Sequence, residues 1–179
     1  MNMIDKGATV MNVKTTQESR TIQASLVQPS DTNYHGTIFG GTMMAYIDEV
    51  AAIAAMRHSR RPVVTASIDS IDFLAPVKMG HSICLEAFVS STGRTSMEVF
   101  VKIVSENLQT GERVLTATSF LTFVALDEAG NPTEVPAIVP ETEEEKRLMA
   151  TAEERKKMRK ERKDSLQAFV SQLNIEKTI

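Results

Sequence analysis

Between Gly40 and Met56 the chain carries only two charged residues, Asp48 and Glu49, in a run rich in alanine and methionine, GGTMMAYIDEVAAIAAM. The run holds no proline and, beyond its first two positions, no glycine, so it reads as one helix of about four to five turns. Arg57, His58, Arg60 and Arg61 follow where the helix dipole favours positive charge, and Pro62 ends the run. Most of this helix's circumference is apolar or small, so it must be covered on several sides. One curved sheet wrapped around it meets that demand, with the flank left open closed by a second subunit.

The rest of the chain supplies such a sheet. Thr21 to Val27 reads as a first strand ending at the turn cluster Pro29-Ser30-Asp31. After Pro62, Val63 to Phe73 is rich in β-branched residues, and strand-like runs follow at Ser82–Val89, Thr95–Ser105 and Val114–Leu126, separated by turns at Gly80, Gly93 and Gly111. The order of strand, helix and four closely linked strands predicts an α+β fold with an antiparallel sheet on a single long helix.

Three segments are expected. Residues 1–20 are polar and aperiodic and read as a flexible lead-in, residues 21–140 form the domain, and residues 141–179 form a charged helical tail. In the tail, Glu141, Glu143, Glu144 and Glu145 precede Arg155 to Lys163, an order that suits a solvated helix, with Glu143/Arg147 and Glu153/Lys157 at i,i+4.

A formal net charge of -3 and the absence of tryptophan point away from nucleic acid or an anionic membrane as the main partner. No run is long enough for a signal peptide or a membrane span, and Cys84 stands alone in an apolar strand, so a reducing cytoplasm is expected. The three histidines show no metal-ligand spacing with one another or with Cys84, so no metal site is expected, and no nucleophile elbow, P-loop or dinucleotide fingerprint is present.

Chemistry concentrates around Asn33 to Gly41, NYHGTIFGG, directly ahead of the helix. Unpaired first-turn amides and the positive helix end stabilise negative charge, and Gly40 and Gly41 let a substrate carbonyl approach, as an oxyanion hole requires; a glycine-assisted helix start with no ligand is the plain alternative. Asp48 is the second candidate, since a carboxylate in a largely apolar helix must be solvated, paired or used. It lies with Ala45, Ala52 and Ala55 on a small-residue flank, opposite the bulky Met43, Ile47 and Val50, which favours it over Glu49. Gly41 and Asp48 are seven residues apart, about 10 Å along a helix axis. If both serve one carbonyl they belong to different protomers related by a two-fold axis. At a turn between strands, Gly93-Arg94-Thr95-Ser96 offers a guanidinium, hydroxyls and amides to a phosphate, or forms a plain hairpin.

Taken together, QPSDTNYHGTIFGGTMMAYIDEVAAIAAMRH, VVTASIDSIDFLAPVKMG, GRTSMEV and VPAIVPETEEEKR resemble the acyl-CoA hydrolases of the hotdog superfamily, over about Ile22 to Arg147. The resemblance implies a hotdog fold, double-hotdog dimers assembled into a homo-hexamer (a trimer of dimers), and hydrolysis of acyl-CoA with no cofactor beyond the CoA of the substrate. It also implies that an asparagine before the helix and an aspartate within it, here Asn33 and Asp48, act together from opposing protomers, and that Arg94, Thr95 and Ser96 contact the CoA nucleotide. Two rival functions stand beside this one. The first is a non-catalytic acyl-CoA-binding regulator whose basic stretch Arg155 to Lys163 touches DNA; the second is a hotdog enoyl-CoA hydratase with His35 as base.

Overall fold

The computed structural model describes residues 13–173. Its main sheet has five antiparallel strands in the order β2 (Thr21–Leu26), β4 (Ser82–Thr92), β5 (Ser96–Glu106), β6 (Arg113–Ala125) and β3 (Val63–Phe73), and it curls around α2 (Gly40–Ser59). The expected strands all form; β4 runs three residues past its apolar pattern because its ladder with β5 continues towards the turn, while β5 and β6 keep their expected lengths and are displaced by one residue. Met43, Ile47, Val50, Ala51, Ala54 and Ala55 of α2 are buried against Leu85, Val99, Val101, Leu121 and Phe123 of the sheet. Truncating Met43 or Ile47 to alanine removes contacts worth about 2–5 kcal/mol.

The edges differ. β2 is six residues long, whereas β3 presents eleven and exposes Val64, Ile68 and Phe73. Two bulges interrupt β3, because Thr65 pairs with Phe123 but Ser67 with Thr122, and Ile68 pairs with Leu121 but Ser70 with Phe120. Ala66 and Asp69 are thus the extra residues.

Both flanking segments depart from expectation. The first part of the lead-in, residues 1–12, lies outside the described residues, but residues 13–20 are regular: β1 (Val13–Thr15) pairs in parallel with β7 (Ala137–Val139), and α1 (Thr16–Ser19) follows. Lys14 Nζ donates to the carbonyl of His58, capping the C-terminus of α2 at 2.7 Å. His58 is fully buried, and its Nε2–H donates to the Pro136 carbonyl at 2.8 Å, which holds the β7 strap on the helix. Burial holds the imidazole's pKa below the usual histidine value, against the opposing pull of that carbonyl.

The tail is helical, as α3 (Glu143–Ala150) and α4 (Ala152–Val170), but it is not a freely solvated helix. Thr142 and Glu145 form a capping box, and buried Glu145 also pairs with Arg20, which in turn pairs with Glu86 and lies over the Phe88 ring. On α4 the arginines turn onto the outer face of the sheet. Arg155 Nη2 and Nε donate to Glu98 at 2.7 and 3.0 Å and the guanidinium stacks over Phe120, while Arg159 and Arg162 donate to Asp69 at 2.7 and 2.8 Å. Burial raises the Asp69 pKa, but donors from Ser67, Arg159 and Thr122 outweigh it and leave the pKa below the usual carboxylate value. Along the helices, Glu143 and Glu153 pair with Lys146 and Lys156 at i,i+3 rather than with the expected i,i+4 partners. The basic stretch that the rival regulator reading would turn to DNA spends Arg155, Arg159 and Arg162 on the chain's own carboxylates.

Candidate active site

The loop ahead of α2 is a small closed unit. Thr32 bridges to Ile38, Asn33 N–H donates to the Thr37 carbonyl at 2.9 Å, Gly36 takes a positive φ of 73°, and Phe39 N–H donates to the Asp31 carbonyl at 2.8 Å. Within it the Asn33 side chain is oriented by its neighbours, since Oδ1 accepts from the His35 amide at 2.9 Å and Nδ2 donates to Thr37 Oγ1 at 3.1 Å. One Nδ2 hydrogen remains for a ligand. Asn33 is thereby fixed at the same end of the molecule as Gly40 and Gly41.

The N-cap of α2 is Phe39, whose side chain has no oxygen to cap the first turn, so among the described residues the amides of Gly40, Gly41 and Thr42 keep their donor capacity. The two glycines have different reasons. A Cβ on Gly41 would come 2.5 Å from Cε1 of the exposed Phe39 ring, so a side chain there would have to swing that ring aside. Gly40 has only Phe73 nearby, at 3.8 Å, and opens onto a cleft of about 350 Å³ lined by Ile38, Met43, Phe73, Leu74, Pro76 and Val77. Donor amides at the mouth of an apolar cleft suit a polar carbonyl carrying a hydrocarbon chain.

Asp48 is not brought to that end. α2 is continuous from Gly40 to Ser59, so the seven residues from Gly41 to Asp48 span about 10 Å of axis, beyond a carboxylate's reach. Asp48 is half-buried and accepts a hydrogen bond at 2.9 Å from Thr65 Oγ1, on the edge strand β3. Glu49 is exposed and receives only a long contact, 3.5 Å, from Gln23. Thr65 carried no signal in the sequence, where it is one of several β-branched residues in a strand; only the packing of β3 on α2 reveals it.

Arg94, Thr95 and Ser96 occupy the β4–β5 turn, closed by the Gly93 amide donating to the Ser96 carbonyl at 2.8 Å. Arg94 is 79% exposed and lies 3.9 Å from the equally exposed Glu134, so little holds its guanidinium in place. The exposed His35 ring lies tilted at 42° against Tyr34, and among the described residues no group hydrogen-bonds its nitrogens to orient it as a catalytic base.

Residues 35–112 match the family model described as the thioesterase superfamily. The chain is 55% identical over 161 residues to the uncharacterized acyl-CoA thioester hydrolase YkhA of Bacillus subtilis, covering 90% of this chain and 94% of that protein. An apo-hexameric acyl-CoA thioesterase superposes with a TM-score of 0.83 at 58% identity, over 84% of this chain and 97% of that one. The acyl-CoA hydrolase of Staphylococcus aureus, solved with butyryl coenzyme A, coenzyme A and coenzyme A disulfide, superposes with a TM-score of 0.86 at 45% identity, over 89% and 97%. Alanine variants of that enzyme at an aspartate, an asparagine and a threonine share its fold with this chain. With its long helix wrapped by an antiparallel sheet, the chain belongs to the hotdog-fold thioesterase superfamily.

Proposed function

We propose that this chain hydrolyses acyl-CoA thioesters to a carboxylic acid and CoA in the cytoplasm, at sites that two protomers of a homo-oligomer build together. The observation that carries this reading is the placement of Asp48: a carboxylate held by Thr65 at the β3 edge, and about 10 Å along α2 from the donor amides of its own protomer. The asparagine, aspartate and threonine replaced in the Staphylococcus aureus variants are spaced 15 and 17 residues apart, the spacing of Asn33, Asp48 and Thr65 here (48 − 33 and 65 − 48).

In the proposed mechanism the acyl chain enters the apolar cleft beside Gly40, and the thioester oxygen accepts hydrogen bonds from the first-turn amides of α2. Asn33 orients the carbonyl through its remaining Nδ2 hydrogen. Asp48 of the partner subunit takes a proton from water as the water oxygen bonds to the carbonyl carbon, and charge collects on the oxygen facing the amides. Collapse of this intermediate breaks the carbon–sulfur bond, and the proton passes to the departing CoA sulfur. Arg94, Thr95 and Ser96 at the β4–β5 turn hold the phosphates of the nucleotide. Hexameric assembly is proposed from the likeness to the hexameric thioesterase.

Release of free thiol from CoA esters graded from acetyl to palmitoyl tests the reading. Asp48→Asn, which keeps the side chain's size and its contact with Thr65, is expected to lower kcat by about 10²–10⁴-fold, the usual contribution of a general base. Near-normal turnover by this variant with the oligomer intact overturns the assignment.

A further inference from the structure

The last two turns of α4 leave Leu166, Phe169 and Val170 half exposed, with no counterpart for them among the described residues. Glu98 on β5, Thr122 on β6 and Ser67 on β3 are neighbours in one cross-strand row. Arg155 engages Glu98, Arg159 engages Asp69, and Arg162 reaches Ser67 Oγ at 2.7 Å and the Asp69 carbonyl at 2.9 Å. The helix therefore follows that row across the strands. From Arg155 to Arg162 it rises about 10 Å, and two strand spacings are also about 10 Å, so Arg162 sits above the edge strand. The eight residues from Arg162 to Val170 carry the helix about 12 Å further, past the edge of the sheet.

The face that leads is apolar. At about 100° per residue, Leu166, Phe169 and Val170 fall within about 60° of Arg155, the direction that meets the sheet. Arginines on this face meet the chain's own carboxylates, and beyond β3 the same face becomes Leu166, Phe169, Val170 and, in the closing turn, Leu173. These side chains are 50–58% exposed. Lys160, Glu161 and Lys163 lie off this stripe.

We infer that the overhang docks on a second copy of this chain, across the outer face of the neighbouring protomer's sheet. The occupant follows from the direction of the overhang and rests on the two-protomer reading of the site. Asp48 is tethered to Thr65 on β3, so a partner that brings its α2 N-terminus to Asp48 approaches along the β3 edge. α4 projects over that edge. The long β3 edge, with Val64, Ile68 and Phe73 exposed, is also the one whose free backbone and apolar side chains favour self-association. By symmetry each protomer contributes one clamp.

Sedimentation velocity on the full chain over a dilution series tests this, comparing wild type with Leu166→Glu/Phe169→Glu and with Lys160→Glu on the opposite side of the helix. The apolar-stripe variant is expected to dissociate at a protein concentration at least tenfold higher than wild type, with Lys160→Glu unchanged. Both replaced residues are exposed in the single protomer, so the fold is retained. As a second reading, Phe169→Cys in a Cys84→Ser background is expected to react slowly with maleimide in the oligomer and rapidly after dilution to protomers. Unchanged dissociation in the stripe variant, or equal labelling at all concentrations, overturns the inference. So does stripe-dependent sedimentation with anionic phospholipid vesicles while self-association stays as in wild type, since the occupant is then a lipid surface. A wild type that remains a monomer while hydrolysing acyl-CoA overturns the two-protomer site itself, an outcome separate from a wild-type oligomer indifferent to the stripe.

Discussion

Replacing Arg155 with methionine measures what holds the C-terminal helix on the sheet. Glu98 is 3% exposed, and its carboxylate receives Arg155 at 2.7 and 3.0 Å and Ser90 Oγ at 2.8 Å, with Arg159 3.8 Å away. The same guanidinium lies 4.2 Å from the Phe120 ring centroid and donates to the Leu148 carbonyl, joining α3, α4, β5 and β6. Methionine keeps most of the apolar stem but removes the charge and every donor, so a buried carboxylate is left with one hydroxyl and a distant guanidinium. Removing one member of a buried pair costs about 3–5 kcal/mol, and because Arg159 offsets part of the loss, a value near 3 kcal/mol is expected. For a chain of this length each kcal/mol lowers Tm by about 2–4 °C, so calorimetry at neutral pH should show a fall of about 6–12 °C. Adding Glu98→Leu to the same chain removes the stranded charge and should recover a large part of that loss. A fall of less than about 2 °C, or a double variant no more stable than the single one, refutes the view that this pair is a buried anchor.

Thr65→Val keeps the shape of the β3 side chain but removes the hydroxyl that donates to Asp48; kcat should fall about 10- to 100-fold, in line with 1.5–3 kcal/mol for a hydrogen bond to a charged group, with KM little changed. An unaltered kcat would mean that the hydrogen bond does not position the carboxylate. Burial holds His58 neutral in the folded chain, with a pKa below the 6.5 it regains on unfolding, so its contribution to stability is complete above pH 6.5 and is lost as pH falls towards the folded value. Denaturant titrations between pH 7.5 and 5.5 should show stability declining in wild type and a flatter profile in His58→Gln; parallel profiles would contradict this.

The central helix was legible because a run from Gly40 to Met56 with charge only at Asp48 and Glu49 has one economical burial, inside a sheet. The strands were legible from β-branched runs between glycine turns, and the separation of Gly41 from Asp48 follows from helix geometry alone. What stayed hidden depends on contacts distant in sequence. β1 is three residues long and acquires its identity from Ala137–Val139, more than a hundred residues away. Arg155, Arg159 and Arg162 look solvated in one dimension because their partners, Glu98 and Asp69, lie in strands whose outward faces are set only by register. Thr65 was unremarkable for the same reason, since its partner stands on a different element. The glycine reading was half complete: Gly40 borders the cleft as the chemistry requires, whereas Gly41 lies against the exposed Phe39 ring, which a Cβ there would displace.

The bulge at Ala66 has an effect beyond its own backbone. In an unbroken strand, Thr65, Ser67 and Asp69 would all point to one side. The inserted residue resets the alternation, so that Thr65 pairs with core-facing Phe123 and points to the helix carboxylate, whereas Ser67 pairs with outward-facing Thr122 and, with Asp69, receives the tail arginines. One strand thus addresses the reaction centre from its concave side and the tail anchor from its convex side. Shortening it by that residue would force a choice between them.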